Sequence, residues 1–213
     1  MELNIKQLVM RNGKCGVEEA LKILYSKWNI EILNACSKSI DFKQLQIDLS
    51  FIPRTTLIKN LNKLVNLNLI INNDNEYILS KEANDLLNIN KKIENYLSTF
   101  ESFNSLEEKY NYINKAFGKK WKARVIWLLG TYKIVRFNEF CNCIEGISHK
   151  VLKEVLLDLE ETNIINRVEY SGKVLKVEYT LTEKGNQFSL FINDLSNWSK
   201  RNGLTQKVTI NIE

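Results

Sequence analysis

Apolar positions along this chain change period in a set order, and the order runs twice. Ala116, Trp121, Val125, Leu128 and Leu129 recur at helical spacing and predict a helix over Lys115–Leu129, interrupted by Gly130-Thr131. A short helix begins at Arg136-Phe137-Asn138-Glu139-Phe140 and ends near Gly146. Ser148 then stands where an N-cap belongs, because its hydroxyl can accept from a free amide of the first turn. Val151, Leu152, Val155, Leu156 and Leu159 form one apolar stripe, while His149, Lys150, Lys153, Glu154 and Asp158 lie on the opposite face. The period next becomes alternating. Asn166–Tyr170 predicts one strand, Ser171-Gly172 a turn and Lys173–Leu181 the returning strand. Thr182-Glu183-Lys184-Gly185 opens a last helix with Phe188, Phe191, Ile192, Leu195 and Trp198. Two helices meeting at a short turn, followed by a hairpin, describe a winged helix-turn-helix.

The first half follows the same order. Val17–Asn34 is a helical region, Phe42–Asp48 a short helix and Pro53–Asn66 the candidate recognition helix, with Pro53 in its first turn. Its exposed face would carry Arg54, Thr55, Thr56, Lys59, Asn60 and Lys63. Landmarks match across the halves: Trp28 with Trp121, Phe42 with Phe137, Leu57, Leu61 and Leu64 with Leu152, Leu156 and Leu159, Ile70 with Ile165. Glu76-Tyr77-Ile78-Leu79-Ser80 matches Glu178-Tyr179-Thr180-Leu181-Thr182. The period is about half the chain, so one small domain is duplicated. The turn Asn72-Asn73-Asp74-Asn75 leaves the first copy almost no wing. The expected fold class is mainly α with small β-hairpins (α+β): two tandem winged helix-turn-helix domains, residues 1–100 and 101–213, packed as an intrachain pseudo-dimer. The closing helices, Ser80–Phe100 and Thr182–Lys200, would build the core between the copies. Glu101–Glu108 is a polar junction, and Thr205–Ile212 alternates like a short strand.

Composition narrows the function. The 213 residues are 44% hydrophobic and 26% charged, ordinary for a globular protein, and the net charge of +5 is shared by both halves. That balance permits nucleic acid without requiring it, so the case rests on where cations sit. No apolar run approaches the roughly 20 residues of a membrane helix, and the N-terminus lacks a signal core. A cytoplasmic protein with no membrane partner is expected. Four cysteines in a chain this long do not suggest a disulfide framework. One histidine, no glycine-rich phosphate loop and no nucleophile motif argue against an enzyme, and no cofactor is expected. Cys141-Asn142-Cys143 with His149 fits no zinc spacing, so no metal is expected either.

The candidate nucleic-acid contacts are Arg54, Thr55, Thr56, Lys59 and Lys63 in the first copy and Ser148, His149, Lys150 and Lys153 in the second. The wing adds Lys173 and Lys176, and Arg136 is a candidate phosphate contact. A charged helix face is by itself more often plain solvated surface; its place within a repeated winged-helix pattern favours contact. Lys119, Lys120, Lys122 and Arg124 surround Trp121 and are weaker candidates, since one helix cannot point all of them one way. Trp28, Trp121 and Cys36 read as core.

Lys14-Cys15-Gly16-Val17-Glu18-Glu19-Ala20-Leu21, Ser26-Lys27-Trp28, Gly118-Lys119-Lys120-Trp121, Gly146-Ile147-Ser148-His149-Lys150-Val151-Leu152 and Val177-Glu178-Tyr179-Thr180-Leu181-Thr182-Glu183-Lys184-Gly185 together resemble the HxlR-type winged-helix regulators. That resemblance implies transcriptional regulators, repressors or activators, that pair as homodimers on roughly palindromic double-stranded DNA operators. Here one chain would supply both halves, as a monomer acting as a pseudo-dimer with room for further dimerisation. The diverged helices, Arg54 and Lys59 against His149 and Glu154, imply an asymmetric or quasi-palindromic operator. The resemblance also makes Cys15 a candidate redox sensor. Lys14 beside it would favour a reactive thiolate, while the plainer reading is an inert small residue at a packing surface. A response to a small effector, a plasmid replication initiator and a winged-helix interaction scaffold without DNA binding stay open as alternatives.

Overall fold

The computed structural model describes residues 15–100, 102–117, 121–171 and 176–204. They divide into two compact units, residues 20–102 and residues 15–19 with 103–204. Helix α1 (Gly16–Leu24) straddles that division.

The first unit continues with α2 (Asn29–Ala35), β1 (Ile40–Asp41), α3 (Phe42–Asp48), α4 (Arg54–Asn66), β2 (Ile70–Asn73), β3 (Glu76–Leu79) and α5 (Lys81–Leu97). Caps in the sequence set the helix starts. The Asp41 carboxylate accepts from the Gln44 amide at 2.8 Å and the Ser80 hydroxyl from that of Ala83 at 3.1 Å. Pro53 is the N-cap of α4, one residue earlier than its helical φ suggests, because its ψ of 133° is extended. Leu57, Leu61 and Leu64 on α4 are buried, as are Leu45, Ile70 and Leu86 of the same unit. Asn68, at φ 56°, ends α4 in the left-handed conformation that asparagine tolerates, and the chain turns at once into β2. Asp74 and Asn75 both have positive φ, as a tight two-residue hairpin turn demands.

The second unit holds α6 (Leu106–Phe117), α7 (Lys122–Tyr132), β4 (Ile134–Arg136), α8 (Phe137–Cys143), α9 (His149–Glu161), β5 (Ile165–Tyr170), β6 (Lys176–Leu181) and α10 (Glu183–Arg201). Ser148 and Thr182 cap α9 and α10 by accepting from Val151 and Gly185 at 3.2 and 2.9 Å. Leu152, Val155, Leu156 and Leu159 are buried, and Asn163 (φ 54°) ends α9 as Asn68 ends α4. The core adds Phe140, Phe188, Ile192, Leu195 and Trp198. Helices dominate both units. Each has one small antiparallel sheet, ordered β1-β3-β2 in the first and β4-β6-β5 in the second.

Several expectations need correction. The helix anticipated over Lys115–Leu129 is two helices: α6 starts inside the supposed polar junction, and α7 begins only after Trp121. Gly130-Thr131 does not interrupt α7, which runs to Tyr132 and ends at Lys133 with φ 68°. Gly130 serves packing instead, since a Cβ there would fall 2.0 Å from Ser189 Oγ on α10. The region Val17–Asn34 breaks at Trp28, whose φ is 75°. Trp28 is half-buried against Phe51, ring centroids 5.6 Å apart, and is not core. The strands β1 and β4 were not anticipated, because two or three residues are too few to show alternation. Lys14, Lys119, Lys120, Lys173 and the strand expected over Thr205–Ile212 lie outside the described residues. Among the described residues, no helix is long and apolar enough to cross a membrane.

Cys36 is wholly buried, and burial pushes its thiol up to about 12; Cys143, also buried, is pushed up to about 11 by burial and then by Glu139. These thiols stay protonated when folded but ionise from about 9 when unfolded, so the unfolded chain binds fewer protons there. Stability from this source is complete below pH 9 and is lost as pH rises towards 11 and 12. Cys36→Val is expected to flatten that alkaline loss in chemical denaturation at stepped pH; an unchanged slope would contradict it.

Candidate nucleic-acid interface

Each unit carries two helices joined by a five-residue turn, α3 to α4 and α8 to α9. On α9, His149, Lys150, Lys153, Glu154 and Leu157 are exposed, and Lys150, Lys153, Glu154 and Leu157 fall on one face. The Ser148 hydroxyl is exposed and accepts the Val151 amide, which leaves its proton and one lone pair for another partner. His149 packs edge-on to Phe137, centroids 5.5 Å apart. On α4, Thr55, Lys59 and Lys63 are exposed and form an i, i+4 row; Thr56 is half-buried. Arg54 occupies the place that His149 holds on α9. Its guanidinium lies 5.1 Å over Phe42 and donates to Gln46 Oε1. Asn60, expected on the exposed face, is half-buried and donates to the Lys27 carbonyl at 3.1 Å.

The second unit's sheet brings two further candidates together. Arg136 at the end of β4 sits opposite Glu178 of β6. Its Nε and Nη2 both lie 3.2 Å from Glu178 Oε1. Lys176 Nζ reaches the same oxygen at 2.7 Å and lies 5.1 Å over the Tyr170 ring. Lys176 and then Arg136 hold the Glu178 carboxyl below its ordinary range. The Arg136 amide also donates to Glu139 at 2.6 Å, which starts α8. Glu178 carries no signal of this role in the sequence, because only strand register sets it opposite Arg136.

The first unit has the opposite charge at the equivalent places. Asp41 pairs with Glu76 across β1 and β3, as Arg136 pairs with Glu178. Asp74 precedes Glu76 by two residues, as Lys176 precedes Glu178. Ser39 donates to Glu76 at 2.6 Å.

Two of the weaker candidates around Trp121, Lys122 and Arg124, face the protein interior. Lys122 is wholly buried; its ammonium lies 2.9 Å from Asp158 of α9 and donates to the Lys115 carbonyl. Arg124 is 5% exposed, 3.3 Å from Glu18 and 5.0 Å from the Trp121 ring. Neither cation can reach a phosphate. Both point inward because α7 is buried almost all round, which a count of charges does not show. Cys15 is half-buried directly ahead of α1. Cys141 is half-buried, and burial raises its thiol.

A helix-turn-helix followed by a hairpin, with a short strand ahead of the two helices completing a three-stranded sheet, defines the winged helix-turn-helix class. The model for the HxlR-like helix-turn-helix matches residues 116–207. A Fusobacterium mortiferum chain described as regulatory protein MalR is 40% identical over 85 residues, spanning 40% of this chain and 80% of that one. The HTH-type transcriptional regulator YdzF of Bacillus subtilis is 32% identical over 99 residues, 46% of this chain and 91% of its own. The solved structure of the redox regulator HypR in its reduced form is 29% identical, covers 44% of this chain and 91% of that one, and has a TM-score of 0.41. The chain belongs to the HxlR-like helix-turn-helix family, whose members here are transcription regulators and not enzymes.

Proposed function

We propose that this chain is a sequence-specific double-stranded DNA-binding repressor in which two winged-helix units serve one operator, the single-chain counterpart of a homodimer. The observation that carries the reading is the exposed start of α9, with His149 and the cations Lys150 and Lys153, in the same unit as the exposed cations Arg136 and Lys176 of the sheet. The repeated order of helices and strands supports the tandem arrangement. In this reading α9 enters the major groove, Lys150 and Lys153 reach base edges or phosphates, and Arg136, Lys176 and Lys173 hold the backbone. The first unit contributes α4 alone, through Arg54, Thr55, Thr56, Lys59 and Lys63. Its sheet edge, with Asp41, Asp74 and Glu76, repels phosphate. The operator is therefore asymmetric, with backbone contacts beyond the groove on one side only. Covalent linkage makes engagement of the second half-site intramolecular, so occupancy does not depend on dimerisation.

The test is binding to fragments of the protein's own upstream region, with unrelated DNA as control, across a salt series. One chain per site and a steep fall in affinity with salt are expected. Lys150→Ala should weaken operator binding about tenfold and reduce the salt slope by about one. Absence of binding at low salt would sink the reading. A second reading has the first unit hold a protein instead of DNA. It draws on Ile47 and Phe51, each 57% exposed, and on the acidic sheet edge. Lys59→Ala separates the two: unchanged operator affinity would favour the protein partner.

A further inference from the structure

Two cations of the proposed interface share one oxygen. Arg136 and Lys176 come from different strands, and both close on Glu178 Oε1 at 2.7 to 3.2 Å. The Glu178 side chain is 11% exposed, whereas those of Arg136 and Lys176 remain 51% and 44% exposed. The carboxylate thus lies beneath the cations and ties them from the protein side, leaving their outer faces to solvent. Lys176 is further fixed over Tyr170.

A carboxylate in that position offers these cations what a phosphate would offer. It cancels part of their charge and restricts their directions. The first unit gives the contrast within the same chain: its glutamate, Glu76, faces an acid, Asp41, across the strands and accepts from the Ser39 hydroxyl. We propose that Glu178 is a specificity-determining positioning residue, an internal phosphate mimic that keeps Arg136 and Lys176 from binding any DNA backbone indiscriminately and aims them where the operator's phosphates fall once α9 is seated. This rests on the DNA-binding reading above.

The physical consequence is a difference between two kinds of DNA. On unrelated duplex, where contact is purely electrostatic, removing the carboxylate uncovers about one net positive charge. Affinity should then rise and the salt slope steepen. On the operator the same charge is gained but the aim is lost, so the gain is smaller and the ratio of specific to non-specific affinity falls.

Glu178→Gln keeps the size and an acceptor oxygen, and is compared with wild type on the operator fragment and on random duplex over a salt series. The expected result is about a three- to tenfold rise in affinity for random duplex near 0.1 M salt, with a slope steeper by about one. The operator should gain less. In an Arg136→Gln/Lys176→Gln background the gain should vanish, because no cation remains to be released. Equal affinities and slopes for wild type and Glu178→Gln would overturn the proposal. So would weaker binding to both DNAs with a lower melting temperature, which would make Glu178 a fold support only. Persistence of the gain in the double background would make it a general effect of net charge and would also overturn it. If wild type itself binds no DNA, the parent reading fails and this one falls with it; if wild type binds and Glu178→Gln is indistinguishable, only this one fails.

Discussion

Asp158→Asn should destabilise the second unit by about 3 kcal/mol, the lower end of the cost of breaking a buried ion pair. Asp158 projects from α9 and meets the Lys122 ammonium at 2.9 Å. Lys122 has no exposed surface, so its charge cannot turn to water when the carboxylate goes. The reverse change should cost less. In Lys122→Met the carboxylate left behind is 21% exposed and can be solvated, while the methionine fills the vacated volume. The order of the two variants carries the argument. Urea denaturation followed by tryptophan fluorescence should give the lower midpoint for Asp158→Asn, and the opposite order would refute a buried, charge-compensated clasp. The clasp also bears on function, because it ties the candidate recognition helix to α7 and to the Lys115 carbonyl of α6. Lys115 and Glu161, paired at 2.9 Å, form a second tie between α6 and α9, but both are about half-exposed and add little.

Gly185→Ala is expected to lose about 2–3 kcal/mol, although helix propensity alone would favour alanine by about 1 kcal/mol. Gly185 lies in the first turn of α10, and a Cβ there would stand 2.0 Å from the Ile164 carbonyl oxygen and 3.1 Å from its carbon. The obstacle is backbone in the turn between α9 and β5, so no side-chain rotation can relieve it. Gly130→Ala meets Ser189 Oγ at the same 2.0 Å, but that hydroxyl can swing aside and the loss should be smaller. The first unit carries Ala83 at the place of Gly185, fully buried, so the close approach belongs to the second unit alone. A thermal melt in which Gly185→Ala matches or exceeds wild type would remove the packing explanation for this glycine.

Much of the helix-turn-helix was legible because its signals are local. Ser148, Ser80, Thr182 and Asp41 cap helices through hydroxyls or carboxylates three residues from the amides they accept. The leucine stripes of α4 and α9 repeat at helical period and are buried as that period requires. Alternation marked the second hairpin, and the match of Ile70 with Ile165 and of Glu76–Ser80 with Glu178–Thr182 marked the first, whose six residues between Ile70 and Tyr77 announced the shorter turn. The strands β1 and β4 were not legible, since so few residues carry no period and exist only by pairing with β3 and β6. The split of α6 from α7 was hidden for another reason. Apolar residues on both sides of the break happened to keep one helical register.

For the candidate site, the sequence by itself determined which stripe of each candidate recognition helix is buried, because a 3.6-residue period of leucines leaves the other side to solvent; the margins of that face, Thr56, Asn60 and Asp158, are half-buried and were decided by packing. It could not determine which cations are free to meet a phosphate. Lys122 and Arg124 stand out as weaker candidates only because one helix cannot point every cation one way; that both are buried in ion pairs, while Lys150 and Lys153 are exposed, is not written in the sequence. That distinction depends on α7 being surrounded, which is a property of packing. Likewise Arg136 and Glu178 are 42 residues apart, and only strand register sets them face to face. Local hydrogen bonds and periodicity act over a few residues and are written in the chain, whereas charge pairing and burial act across space and are decided when the elements assemble.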